Sequence, residues 1–523
     1  MNDWITNCVM HHGHHGGASD RPLPTRLLDL GRPSHESSIA LVETSGKRGR
    51  YVALSHCWGG SQPLNTTRKN LSALKERIHT EQLSLTLREA ITVTKALGLR
   101  YIWSDTLCMI QDDQDDWARE AMKMATVYQD AVVTLVATAS KSGDEGLFRQ
   151  WHQFEVTGRL QDKRPYRFLF RKSFFPHVDD LSFKGKAFDA LHPLSSRAWV
   201  LQERLLSPRV LHFISNELFF ECVKEARCEC RGITKLENPI LAPKTLIHEG
   251  PSQELTNRSV IWKSVITIYT ELQLSYPTDK LVALGGLAKR FAQSDDEYLP
   301  GIWSQTLIED LTWLTRTLSG EPKLLWRAPS WSWASVDGAV GFYNANVVKP
   351  GILDLPVPRY ESCVDILKCE ISPKTINKFG EISSGTLRLR GRCASVTLYQ
   401  KLWEPGYIGP EVLKDAVCFS NGFERPIHPD HQPEVNAVRI RSRAAGNELV
   451  CLLLCLQTRA DLPSRQVRAS LVLQRLHPDA HIYERIGLLL EPESGFDETR
   501  SGMTDLQDIE VMCPTERTVV EIV

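Results

Sequence analysis

The chain has 523 residues, 42% of them hydrophobic and 24% charged, and 62 basic side chains face 63 acidic ones, a formal net charge of −1. Such a balance excludes a whole-molecule field for a nucleic-acid backbone or an anionic lipid surface, and at roughly 150 residues per domain the length predicts two or three domains. No apolar run approaches the roughly 18 residues of a membrane span, and the start MNDWITNCVM lacks the basic-then-apolar order of a secretory leader. The 13 cysteines are odd in number and scattered, which predicts mostly buried free thiols in a cytoplasmic protein rather than a secreted disulfide framework.

Cys8 is followed by His11, His12, His14 and His15. Imidazole and thiolate are zinc and copper ligands, but the spacing is not that of a closed structural site. A histidine-rich terminus flanked by glycines is the reading, and no metal is expected. Pro22 and Pro24 lead into TRLLDLG, a short strand or turn at the edge of the first domain.

Tyr51 to Leu54 reads as a strand running into SHCWGG, where small residues turn the chain beneath a large indole. Ser55, His56 and Cys57 fall at that turn. His56 suits proton transfer at neutral pH, and equally suits a ring that ties two loops together. Ser84 to Leu97 predicts a helix, with Leu87, Ile91, Thr94 and Leu97 about one turn apart and Gly98 as its terminal cap.

The strand Tyr101–Trp103 comes next, with Asp105 at its carboxyl end and then Cys108, Gln111, Asp112 and Asp113. Trp117, Ala121, Met124, Ala125 and Tyr128 share one side of the following helix, and AVVTLVATA supplies another strand. Strand, helix, strand is the signature of a parallel crossover. The crevice beyond the strands' carboxyl ends, where Asp105, Cys108, Gln111 and Asp112 sit, is where ligands bind in such sheets.

The pattern weakens between Lys141 and Pro193, with short alternating strands at VTGRL and YRFLFR. In LSSRAWVLQERLLSPRVLHF a helix carries Trp199, Leu201, Arg204 and Leu205 beside Gln202 and Glu203, and Ser207 with Pro208 ends it. Leu218–Phe220 is a strand leading to Cys222, Cys228 and Cys230, which lack a regularly spaced fourth partner for a metal. Residues 256 to 290 and SQTLIEDLTWL read as helices, and 210 to 340 as helices packed against the sheet. PSWSWASVDG, with two tryptophans at period two, reads as a strand. Beyond about 350 the chain is mainly β. It has no internal repeat, phosphate-binding glycine loop or dinucleotide fingerprint.

Taken together, YVALSHCWG at 51–59, LREAITVTKALGLRYIWSDTLCMIQDDQDDWAREAMKMATVYQDA at 87–131 and SSRAWVLQERLLSPRVLHF at 195–213 resemble the three characteristic blocks of the fungal heterokaryon incompatibility (HET) family. LPGIW and APSWSWAS are similar to segments that follow in longer members. The expected organisation is a lead-in at 1–44, a HET domain at 45–215, a helical region at 216–345 and a β-rich domain at 346–523. The expected fold is α/β, with a parallel-sheet, TIR-like HET module.

The resemblance implies nonself recognition and programmed cell death, with a protein partner or self-association. It also leaves open an enzyme with a strand-end active site, such as a TIR-like NAD-glycohydrolase, or an accessory protein of secondary metabolism. In the enzyme reading His56, Asp105, Cys108 and Glu203 are catalytic, and Ser55, Trp58, Gln111, Asp112, Arg197, Trp199 and Gln202 bind a nucleotide, with NAD as substrate. Glu203 then stabilises positive charge at a ribose carbon, or Cys108 acts as nucleophile with His56 as base. In the competing reading the same polar groups form a structural network in a signalling module.

Overall fold

The computed structural model describes residues 1–12, 20–31, 39–59, 64–149, 153–171, 192–215, 217–229, 244–245, 247–248, 255–317, 326–342, 359–403, 412–419, 424–430, 449–458, 466–477, 480–492 and 516–523. The chain forms two units, Met1–Pro251 with Lys349–Gly351, and Ser252–Val348 with Ile352–Val523. No helix among the described residues is long and apolar enough to cross a membrane.

The first unit is built on eight strands: β1 (Arg26–Asp29), β2 (Ala40–Glu43), β3 (Tyr51–Ser55), β4 (Tyr101–Trp103), β5 (Val133–Val136), β6 (Arg209–Phe213), β7 (Leu218–Cys222) and β8 (Ala226–Cys228). Their order across the sheet is β8-β7-β6-β5-β3-β4-β1-β2. β6, β5, β3 and β4 are parallel neighbours, whereas β4–β1, β1–β2, β6–β7 and β7–β8 pair antiparallel. The sheet is therefore mixed, its four central strands parallel and its flanks antiparallel. All five residues of β3 are buried, as are all four of β5, the continuous apolar character expected of strands covered on both faces.

Helices make the crossovers. α1 (Asn2–His11) precedes the sheet, α2 (Leu85–Ala96) joins β3 to β4, α3 (Asp105–Cys108) follows β4, α4 (Gln114–Asp130) leads to β5, and α5 (Ala198–Leu206) leads to β6. The Ser84 side chain caps α2 by accepting from Leu87 N, and Asp113 caps α4 by accepting from the Asp115 and Asp116 amides. Strands from both sides of the expected 45–215 segment complete the sheet, since β1 and β2 precede it and β7 and β8 follow it. The reading of 210–340 as helices is corrected at its start, because that part of the chain adds the antiparallel strands β7 and β8.

In the second unit, helices Leu255–Tyr269 and Val282–Phe291 match the helical reading of 256–290. The turn in YLPGIW is a tight hairpin between Tyr298–Leu299 and Ile302–Trp303. Gly301 sits there at φ +84, and an added Cβ would fall 2.4 Å from Trp333 Nε1. Its carbonyl accepts from the indole nitrogens of both Trp262 and Trp333. Gly301→Ala should therefore cost at least about 1–3 kcal/mol through backbone strain alone, read as a lowered urea midpoint; an unchanged midpoint would contradict this packing.

Two readings fail in this unit. SQTLIEDLTWL is only a short 3-10 turn and one helical turn, Leu307–Asp310, before Trp313–Thr315 leaves as a strand paired with Val340–Phe342. Asp310 is turned inward to accept from Trp303 N and Thr306 Oγ1, and the pairing of Trp313–Thr315 with Val340–Phe342 overrides the helical period beyond it. PSWSWASVDG is not a strand. Trp331 and Trp333 are both fully buried, and Ser332 turns the backbone by donating to Pro300 O and accepting from Ala334 N.

The carboxyl-terminal third is mainly β. Leu449–Thr458, Gln466–His477, Ala480–Pro492, Arg517–Ile522 and Ile382–Trp403 pair in succession, and Ile382–Trp403 pairs back with Leu449–Thr458. The ring closes on itself, which leaves its members without a free edge.

Candidate functional site at the strand ends

β3 and β4 are adjacent and parallel, so the residues that follow them emerge at the same rim. Ser55 ends β3 and His56 follows it; Asp105 opens α3 just after β4. α5 brings Glu203, with Arg197 as its N-cap residue. Arg204, next to Glu203, donates to the buried Glu221 of β7 at 2.9 and 2.5 Å, fixing α5 to the sheet.

These groups meet. His56 Nδ1 lies 3.7 Å from Asp105 Oδ1, too far for a hydrogen bond, and it is buried without a partner. Asp105 Oδ2 accepts from Trp58 Nε1 at 2.9 Å, and Oδ1 from the Thr106 amide. Arg197 donates to His56 O at 3.3 Å and reaches the Cys57 thiol. Glu203 faces Tyr128 and Ser55, although Ser55 Oγ lies outside ordinary hydrogen-bond geometry. Tyr128 OH also points at Leu54 O, 3.5 Å away.

Burial divides the cluster into an exposed acid and an enclosed one. The Asp105 side chain keeps 29% of its surface in solvent, whereas Glu203 is 8% and His56 5% exposed. Burial, reinforced by the Asp105 charge and opposed by Ser55, Arg197 and Tyr128, raises Glu203 to about 7. Burial lowers His56 despite Asp105 beside it, and Arg197 adds to the lowering, so the imidazole is neutral at physiological pH. The arrangement joins a proton-carrying acid, a neutral imidazole and an exposed carboxylate around one guanidinium, the elements of proton transfer or of anion binding.

Residues 51–203 match the family described as heterokaryon incompatibility protein (HET). This segment is a HET domain. The chain matches no curated protein and no solved structure.

Within the HET domain, the structure brings His56, Asp105, Glu203, Ser55, Trp58 and Arg197 together. Other candidates have further contacts of their own. Gln111 spends its side-chain amide on the carbonyls of Asp105 and Met109, at 2.9 and 3.1 Å. Asp112 accepts from the Arg68 amide, which makes it a loop brace. Trp199 packs edge-on against Trp117 with centroids 6.4 Å apart, and Gln202 is buried on α5.

Cys108 is fully buried. Burial pushes its thiol up to about 12 against the pull of Arg26 and the Ser104 backbone, so it cannot supply the thiolate that the Cys/His chemistry requires. Arg26 pairs with the buried Asp116 and donates to Cys108 O, which locks the loop around it. Iodoacetamide at about pH 8 should leave native Cys108 unmodified and label it after denaturation, read by peptide mass; rapid native labelling would contradict this placement.

Two neighbours were missed from sequence. Tyr128 looked like one more apolar position on α4, and Cys57 like a turn residue. Only the proximity of their strands to Glu203 and Arg197 gives them away. The cleft of about 460 Å³ lined by Leu23, Thr25, Thr44, Tyr51, Lys123 and Val127 is at the amino end of β3 and shares no residue with this cluster.

Proposed function

We propose that this protein acts in fungal nonself recognition, with the HET domain as the part that triggers programmed cell death and the strand-end cluster as its working centre. One observation carries the reading. Each of the three sequence blocks typical of the family contributes to a single cluster: Ser55, His56 and Trp58 from the first, Asp105 and Tyr128 from the second, Arg197 and Glu203 from the third. The protein works in the cytoplasm, through self-association or a protein partner. The four parallel central strands support a TIR-like description of the module.

A second reading has its own support. A carboxyl that titrates near neutrality, beside a partly exposed carboxylate, is suited to hydrolysing the N-glycosidic bond to nicotinamide, where the cationic leaving group departs neutral without being protonated and the proton to be placed is that of the attacking water. In that case Trp58 faces the base, the C–N bond breaks with its electrons going to the departing nicotinamide, Asp105 meets the positive charge that develops at the ribose carbon, and ionised Glu203 takes the proton of the water that adds there.

The test is expression of the full chain in fungal cells, as wild type and as Glu203→Gln or Asp105→Asn, at matched abundance. Growth arrest by the wild type alone supports the proposal, and equal arrest by all three removes the cluster from it. Nicotinamide release from NAD by purified wild type, absent in Glu203→Gln, would move the reading to turnover. Arrest without release keeps it as signalling.

A further inference from the structure

Two cysteine groups that looked incomplete in sequence meet in space. Cys8 and His12 come from α1 and the residue after it, and Cys222 is the last residue of β7. One ligand atom from each lies within 4.8 Å of the others. Cys222 Sγ is 3.4 Å from His12 Nδ1. Both sulfurs belong to fully buried residues, and the His12 side chain retains 18% exposure, so the imidazole is the open side of the cluster. α1 is held there by its own packing, with Ile5 buried and Trp4 stacked on Phe220 at 6.0 Å.

The surroundings are those of a metal site rather than of a plain core. Glu225 Oε1 lies 3.9 Å from His12 Nε2, just beyond hydrogen-bond distance and without another hydrogen bond, while its Oε2 accepts from Arg227 at 2.9 Å. A carboxylate behind the far nitrogen of an imidazole is the usual outer partner that orients a metal-binding histidine. The Glu225 amide donates to Cys222 Sγ at 3.4 Å, and Arg209 NH1 lies 3.8 Å from Cys8 Sγ. Both contacts favour thiolate over thiol.

We propose that Cys8, His12 and Cys222 bind one zinc ion, through two thiolates and His12 Nδ1, with the fourth position open on the solvent side. Two sulfurs and an imidazole match the preferences of zinc and exclude calcium and magnesium, which take oxygen ligands. Two thiolates then balance the dication, with Arg209 beside Cys8 and Glu225 shared with Arg227. The ion ties the amino-terminal helix to an outer strand of the sheet. His14, His15 and Cys230 lie outside the described residues.

The test uses the full chain, purified under reducing conditions with chelator and titrated with cobalt(II). A near-ultraviolet thiolate-to-cobalt band and intense visible bands of tetrahedral cobalt, saturating at one ion per chain and displaced by zinc, are expected. Cys222→Ser should abolish the charge-transfer band or strongly reduce it, and Cys363→Ser should leave it intact. His12→Ala, at a partly exposed position that folding tolerates, should weaken binding, and Glu225→Gln should do so by about 10–100-fold. Absence of the bands in wild type, or bands unaffected by His12→Ala and Cys222→Ser, would overturn the site. A Cys8–Cys222 disulfide in the reduced-purified protein, seen as two lost hydrogens in the intact mass, would also overturn it.

Discussion

Glu203→Gln is expected to stabilise the protein by about 2–3 kcal/mol near pH 8 and to change little below about pH 4, a reversal of what most buried substitutions do. The sign follows from linkage. Glu203 is raised from the ordinary 4.5 to about 7, so at low pH both folded and unfolded chains carry the proton and no penalty exists. As pH rises past 4.5 the unfolded chain ionises first and gains relative to the folded one, and above about 7 the full cost of the buried charge is present. Glutamine mimics the protonated acid at every pH. Urea midpoints of the two proteins across that range should therefore diverge with rising pH; parallel curves would contradict the raised Glu203.

The functional meaning lies in the trade. A side chain that costs stability near neutral pH, and whose replacement is expected under the proposed function to silence the HET domain while strengthening its fold, fits the proposed working centre better than a packing role. The neighbours agree. His56 is neutral and its Nδ1 unpartnered at 3.7 Å from Asp105, a gap that a small closing movement would turn into a hydrogen bond, as in sites that tighten only when occupied.

Arg485→Met is the second large effect, expected to cost about 3–5 kcal/mol. Arg485 is fully buried in the second unit. It donates to Asp430 at 3.0 Å, to Leu311 O at 2.8 Å and to Trp313 O at 2.6 Å, and its guanidinium lies 3.5 Å above the Trp313 ring. Methionine keeps much of the volume but leaves the Asp430 charge and two carbonyls without their donor. Adding Asp430→Asn should recover part of the loss, because the buried carboxylate that loses its arginine is the largest component. Calorimetry would show a lower transition for the single variant and partial return in the double. Equal loss in both would place the cost in the carbonyl contacts alone.

Much of the strand-end cluster was legible because local pattern and topology pointed the same way. YVAL and YIW are short buried runs, each followed by a polar residue, and the helix read at Ser84–Leu97 marks the crossover that makes them parallel neighbours, which puts His56 and Asp105 at one rim. Glu203 was legible as a position on a helix, but its depth was not, since burial depends on Arg204 holding α5 to Glu221. Tyr128 gave no signal, because a tyrosine on an apolar helix face looks the same whether its hydroxyl meets a carboxylate or solvent.

Other failures share one cause, contacts between residues far apart in the chain. Cys8 and Cys222 each lacked partners in their own segments. SQTLIEDLTWL kept a helical period that the pairing of Trp313–Thr315 with Val340–Phe342 overrides. The tryptophans of PSWSWASVDG alternate as on a strand with one buried face, and both are buried, but Ser332 turns the backbone and no strand forms there. Individual β segments were readable, whereas closure of the ring through Cys393–Val396 against Leu449–Leu452 is a property of register.

The central claim is that the HET domain keeps a protonatable acid, Glu203, enclosed beside the exposed Asp105. Infrared difference titration of the full chain reads this directly, with Glu203→Gln subtracted. The account predicts a protonated-carboxyl C=O band that disappears with a midpoint at about 7. A band lost near 4.5, the ordinary glutamate value, or no band assignable to Glu203, would contradict it.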